Sequence, residues 1–162
     1  MFNNAINVGM ADLKVARSPD RLATLGLGSC VAICLFEPKL KIGGLAHIML
    51  PDSSIVKENV NPAKFADTAI PRLIKELEQR GAVRQRLTAK IFGGAHMFAF
   101  KAGDDFLDIG ARNIETVEAV LKWEGLAIAA RNVGGDCGRS ILLDLNTGLV
   151  YLKIFNHGIT QL

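Results

Sequence analysis

Residues Val31 to Leu50, VAICLFEPKLKIGGLAHIML, hold two apolar runs, Val31 to Phe36 and Ile42 to Leu50, on either side of the turn-like Glu37-Pro38-Lys39-Leu40. Such a pattern reads as two strands joined by a short connection. Pro38 argues against a tight two-residue primed turn, which needs positive φ at its first central residue. The spacing therefore predicts a four-residue loop centred between Pro38 and Lys39. With that centre, Cys30 at the head of the first run lies directly across from His47, and cross-strand Cβ atoms so opposed are roughly 4.5–5.5 Å apart.

A thiol and an imidazole at that separation can share a hydrogen bond. The imidazole takes the thiol proton, and the thiolate is the species that attacks a carbonyl carbon. The approach to the cysteine is TLGLGSCV, Thr24 to Val31, where glycines at 26 and 28 let backbone come close to a substrate. The same spacing also fits Cys30 and Cys34 as small buried side chains of a core strand, with His47 a satisfied core histidine. Spacing alone does not choose between these readings. A metal reading would recruit Cys30, Cys34 and His47, but Cys-x3-Cys without a second ligand pair is a weak zinc signal.

Six segments in order resemble one known family: TLGLGSCV at Thr24, AHIMLP at Ala46, TAIP at Thr68, KIFGGA at Lys90, IGARN at Ile109, and Val133-Gly134-Gly135 with Gly138-Arg139. Together they resemble the CheD family of chemoreceptor glutamine deamidases, over about Val8 to Phe155. The resemblance implies an α+β, three-layer α/β/β sandwich of one domain spanning residues 1–162, similar to bacterial toxin deamidases. It implies a cysteine hydrolase with Cys30 as nucleophile, His47 as base and Thr24 as third polar member, acting on glutamine side chains of chemoreceptor cytoplasmic helices. Backbone N–H groups near Gly28, Ser29 and Cys30 would hold the oxyanion, and no cofactor or metal is required. A CheC-type phosphatase is the implied regulator; the alternative function is a binding module that docks and modulates such a phosphatase, its thiol incidental.

The length of 162 residues, with 49% hydrophobic and 22% charged, suits one soluble globular domain. A net charge of +3 is small, and no platform of aromatic and basic residues supports nucleic-acid binding. The exception to dispersed charge is Arg80 to Lys90, read as a solvated loop, with a docking face for an acidic partner as the other reading. The first residues lack the charged and apolar regions of a secretory signal, and no run approaches the ~20 apolar residues of a membrane helix. Three cysteines cannot all pair with one another, and a free thiol suits a reducing compartment, so a cytoplasmic protein is expected.

Elsewhere, alternation predicts a strand over the first fifteen or so residues, irregular near Gly9, and an extended Leu22 to Leu27 that carries Thr24. Pro51 to Val60 reads as a loop beside the His47 end of the hairpin. Asn61-Pro62 reads as a helix start and Gly81 as its stop, with a kink or break at Pro71. Leu87 to Ile91 reads as a strand, Lys101 to Asp108 as a polar loop, and Gly110 to Gly125 as a second helix. Leu126 to Asn132 is a short strand, and Val133 to Arg139 is an anion-binding nest or simply a tight loop. Ile141 to Leu145 and Leu149 to Phe155 complete the sheet as a hairpin, while His96 reads as surface or partly buried and outside the chemistry. Of the cysteines, Cys30 is expected to hold the largest thiolate share. Burial suppresses ionisation of Cys34, and Asp136 opposes that of Cys137.

Overall fold

The computed structural model of the chain describes residues 2–58, 60–97 and 108–162. The two apolar runs form strands β4 (Val31–Glu37) and β5 (Ile42–Ile48), each buried along its whole length. Continuous rather than alternating hydrophobicity is what a strand needs when both faces are covered, and both faces here are. Val31, Ile33, Leu35, Ala46 and Ile48 pack toward the helices, while Ala32, Cys34, Phe36 and Leu45 pack toward a second sheet. The expected three-layer α/β/β arrangement follows from this division: helices, a middle sheet, then an outer sheet.

The middle sheet has the order β2-β5-β4-β6-β7, with β2 at Asp12–Arg17, β6 at Thr88–Gly93 and β7 at Ile128–Val133. The outer sheet is β1-β3-β8-β9-β10, at Ile6–Asn7, Arg21–Leu27, Arg139–Asp144, Val150–Ile154 and Ile159–Gln161. Strands β6 and β7 are parallel. A parallel pair needs a crossover, and helix α2 (Ile109–Trp123) lies in it. The first expected strand is two strands in different sheets: β1 joins the outer sheet, the chain turns near Gly9 with Ala11 at φ 54°, and β2 joins the middle one. The short final strand β10 was not foreseen, because its residues are all exposed and carry no apolar alternation.

The hairpin corrects the expected register. Glu37 pairs with Ile42 and Val31 with Ile48, so the loop is Pro38 to Lys41. Its four-residue length is as expected, but its centre lies one position later, between Lys39 and Leu40. His47 therefore faces Ala32 rather than Cys30. The cause is Lys41, which takes the left-handed φ of 53° that closes the loop, a conformation that lysine does not advertise.

Helix α1 (Ala66–Gln79) starts later than Asn61-Pro62 suggested, and it runs through Pro71 without a break. Asn61 instead closes a turn of its own, its Oδ1 accepting from the Ala63 N–H at 3.0 Å. Pro71 withdraws the donor that the Asp67 carbonyl would use. The buried face made by Ala66, Ala69, Ile70, Leu73, Ile74 and Leu77 carries the helix past it. Gly81 and Gly125, at φ 94° and 74°, end the two helices as expected. In the basic cluster, Arg84 pairs with Glu78 and Glu124, and Arg86 with Glu37. Residues 101–107 of the expected polar loop lie outside the described residues.

Candidate active site

Strand β3 carries Thr24 in the outer sheet, and β5 carries His47 in the middle sheet. Both side chains sit in the space between the sheets, Thr24 fully buried and His47 2% exposed. After Thr24 the pairing of β3 with β8 shifts, and such an irregularity bends a strand. The chain leaves through Gly26 at φ 70° into the Gly28-Ser29-Cys30 loop. Cys30 is half-buried and packs against the inter-sheet core. As it precedes Ala32 by two positions, it is a diagonal neighbour of His47, with Cα atoms roughly 7–8 Å apart in an ideal sheet.

One hydrogen atom decides what His47 can do. Thr24 Oγ1 lies 2.6 Å from the Val8 carbonyl oxygen and 2.8 Å from His47 Nδ1. A carbonyl cannot donate, so the single hydroxyl hydrogen goes to Val8, and Oγ1 accepts the hydrogen carried by Nδ1. That fixes the neutral tautomer with a bare Nε2, and Nε2 is buried with no hydrogen-bond partner among the described residues. Burial pulls the His47 pKa below its ordinary value and pushes the Cys30 thiol up, the latter partly offset by the backbone N–H of Cys30. The resting pair is thus a neutral thiol and a neutral base. Cys30 ionises less readily than a free thiol, because burial outweighs its backbone bond. Burial pushes Cys34 up to about 12, and a hydrogen bond to Asp136 raises Cys137.

The cysteine loop is held by its carbonyls. Gly28 accepts from the Ala95 N–H at 2.8 Å, Ser29 from Asn113 Nδ2 at 2.9 Å, and Cys30 from the Gly94 N–H at 2.8 Å. In a trans peptide the N–H points opposite to the preceding carbonyl, so the Ser29 and Cys30 N–H groups face away from this support. Asn113 also donates to the Met49 carbonyl at 2.9 Å. It was quoted above only as part of a motif. A polar residue on the buried face of a helix, in line with Val117 and Leu121, is the signal that could have singled it out.

Arg139 folds into the glycine loop, donating to Gly134 and Cys137 carbonyls and to Asn132 Oδ1. Its guanidinium staples the loop, which favours the tight-loop reading over an anion nest. His96 is half-buried and pairs with Asp108 at 3.2 Å. Among the described residues no three His, Cys, Asp or Glu side chains gather as a metal site, and no helix is long and apolar enough to cross a membrane.

A family model described as CheD chemotactic sensory transduction matches residues 49–154. A Clostridium botulinum (strain Alaska E43 / Type E3) protein named "Probable chemoreceptor glutamine deamidase CheD" is 48% identical over 162 residues, covering 100% of both chains. Proteins of the same name from Syntrophomonas wolfei and Caldanaerobacter subterraneus are 47% and 45% identical, covering 97% and 98% of this chain and 98% of their own length.

Proposed function

The chain belongs to the CheD family, and from that premise we propose that it is a protein-glutamine deamidase of chemotaxis, converting chemoreceptor glutamine side chains to glutamate and ammonia. The observation that carries this reading is the bare Nε2 of a tautomer-locked His47 beside the strand end that bears Cys30. A base held in its accepting form is what a neutral thiol needs in order to attack.

In the proposed reaction His47 Nε2 takes the Cys30 proton as sulfur bonds to the carboxamide carbon. The carbonyl oxygen becomes an oxyanion, received by the outward N–H groups of Ser29 and Cys30. Imidazolium then gives its proton to the nitrogen, the C–N bond breaks and ammonia leaves, with a thioester remaining. A water molecule, losing a proton to His47, adds to the thioester. Collapse returns that proton to the departing thiolate and releases the glutamate side chain. Water is the only co-reactant.

Intact-mass analysis of a receptor cytoplasmic fragment tests the reading: each site should gain about one mass unit, as NH2 becomes OH. Cys30→Ala should abolish the gain, and His47→Ala should slow it by roughly 10²-fold or more in a folded protein. Near-normal turnover in either variant would defeat the mechanism. The same reading implies a cytoplasmic protein and a CheC-type phosphatase as regulator. A phosphatase segment over the site mouth would compete with the receptor, raising the apparent KM with little change in kcat. An unchanged KM at saturating phosphatase would put it elsewhere.

A further inference from the structure

Asn113 sits in the opening turns of α2, fully buried, where its one side chain reaches both the cysteine loop and the end of the histidine strand. Its Nδ2 has two hydrogens, and both are used: one on the Ser29 carbonyl and one on the Met49 carbonyl, each at 2.9 Å. Ser29 adjoins Cys30, and Met49 is two residues from His47. Two carbonyl acceptors fix which end of the amide is nitrogen. The opposite end, Oδ1, is buried and unpartnered among the described residues. Leaving such an acceptor unpaired costs about 1–3 kcal/mol, so an amide at this site is a poor choice for packing alone.

The backbone around Asn113 is equally tight. A Cβ at Gly110 would lie 2.6 Å from the Gly94 carbonyl oxygen and 2.7 Å from that of Ala95. Gly94 and Ala95 are the residues whose N–H groups hold Cys30 and Gly28. The start of α2, the 94–95 segment and the cysteine loop are therefore one packed unit, and Asn113 extends it to β5.

We infer that Asn113 is a positioning residue that sets the separation and angle between the Cys30 thiol and His47 Nε2 by bridging the Ser29 and Met49 carbonyls. The inference rests on the deamidase reading only for its kinetic part. Without the bridge, the Ser29 and Met49 carbonyls both lose their Asn113 donor, and the diagonal Cys30–His47 relation loses that tie to the helix layer. A misplacement of order 1 Å between reacting groups costs about 10²-fold in rate.

The test uses the full chain with Asn113→Ala and with the near-isosteric Asn113→Asp, which replaces the donor by an acceptor against both carbonyls. Each should lower kcat by on the order of 10²-fold with KM changed less than about twofold. The second readout needs no receptor: the rate at which iodoacetamide alkylates Cys30 near pH 7, measured in a cycle with His47→Ala. The Asn113 substitution should slow alkylation when His47 is present and add nothing when it is absent. Additive effects in that cycle, or a kcat per folded molecule equal to wild type, would overturn the positioning role. An alkylation rate indifferent to His47, or deamidation surviving Cys30→Ala, would instead overturn the Cys-His reading. Should the Ala variant fail to fold, Asn113→Ser, which sets no charge against the two carbonyls and is too short to span them, carries the same comparison.

Discussion

Thr24 Oγ1 has one hydrogen to give, and the Val8 carbonyl at 2.6 Å receives it. Everything His47 offers as a base depends on that arrangement, because an Oγ1 that donated to Nδ1 would put the imidazole proton on Nε2 and remove the acceptor. Thr24→Val keeps the shape and removes both bonds. It should leave the Nδ1–H buried without a partner, lower stability by about 1–3 kcal/mol and reduce kcat by roughly 10–10²-fold, less than Cys30→Ala does. Thr24→Ser should retain most of both. Thermal melting and steady-state kinetics check this, and a Val variant with wild-type kcat would show that the tautomer is set elsewhere. Cys30 and His47 were legible in the sequence as a candidate pair from the hairpin, whereas Thr24 was legible only through the resemblance: a threonine in a strand is ordinary. Its role appears only when β3 of the outer sheet is laid against β5 of the middle one. Cys30 ionises less readily than its flexible glycines suggest, since the loop they form is packed against Gly94 and Ala95.

At the scale of elements, the hairpin and both helices could be read from periodicity, because two-sided burial leaves unbroken apolar runs and one-sided burial leaves helical stripes. The register could not. It turns on Lys41 at φ 53°, and moving a four-residue loop by one position moves every cross-strand partner by two. The helix does not break at Pro71 for a similar reason, since the packing of α1 outweighs one lost hydrogen bond. Packing also separates two glycines that look alike in sequence. A Cβ at Gly44 would lie 2.6 Å from Leu73 Cδ1, at the contact of β5 with α1, whereas one at Gly110 would strike the 94–95 backbone under the cysteine. Each substitution to alanine should cost about 1–3 kcal/mol as overpacking. Leu73 has a side chain that can rotate, and the 94–95 backbone does not, so Gly110→Ala should also lower kcat, by about tenfold or more, while Gly44→Ala leaves kcat per folded molecule nearly unchanged. Equal kcat losses at equal loss of melting temperature would remove the distinction.

For the whole molecule, two buried groups at opposite ends of the same hairpin answer acid at different pH. His47 has its pKa pulled below the ordinary 6.5 by burial. As pH falls through that lowered value the imidazole protonates, Nε2 ceases to accept and activity disappears. The unfolded chain binds that proton at higher pH, so the same group also contributes stability that is complete above about 6.5 and declines below it. Glu37 is the last residue of β4, at the turn end of the hairpin, fully buried, with Arg86 Nε and Nη2 on its two carboxylate oxygens at 2.8 and 3.0 Å. Those bonds hold its pKa at about 2 against an ordinary 4.5. A depressed carboxylate contributes stability above its unfolded pKa and loses it as pH falls toward the folded one. Acidification should therefore proceed in two stages: a reversible loss of activity beginning below pH 6.5, then loss of structure between about pH 4.5 and 2. Arg86→Ala separates them, because it leaves the Glu37 carboxylate without its cation and raises the Glu37 pKa. The unfolding midpoint, followed by circular dichroism, should move to higher pH, while the acid limb of kcat/KM stays where His47 sets it. Coincident movement of both limbs would mean that activity in acid is lost by unfolding, and not by protonation of the base.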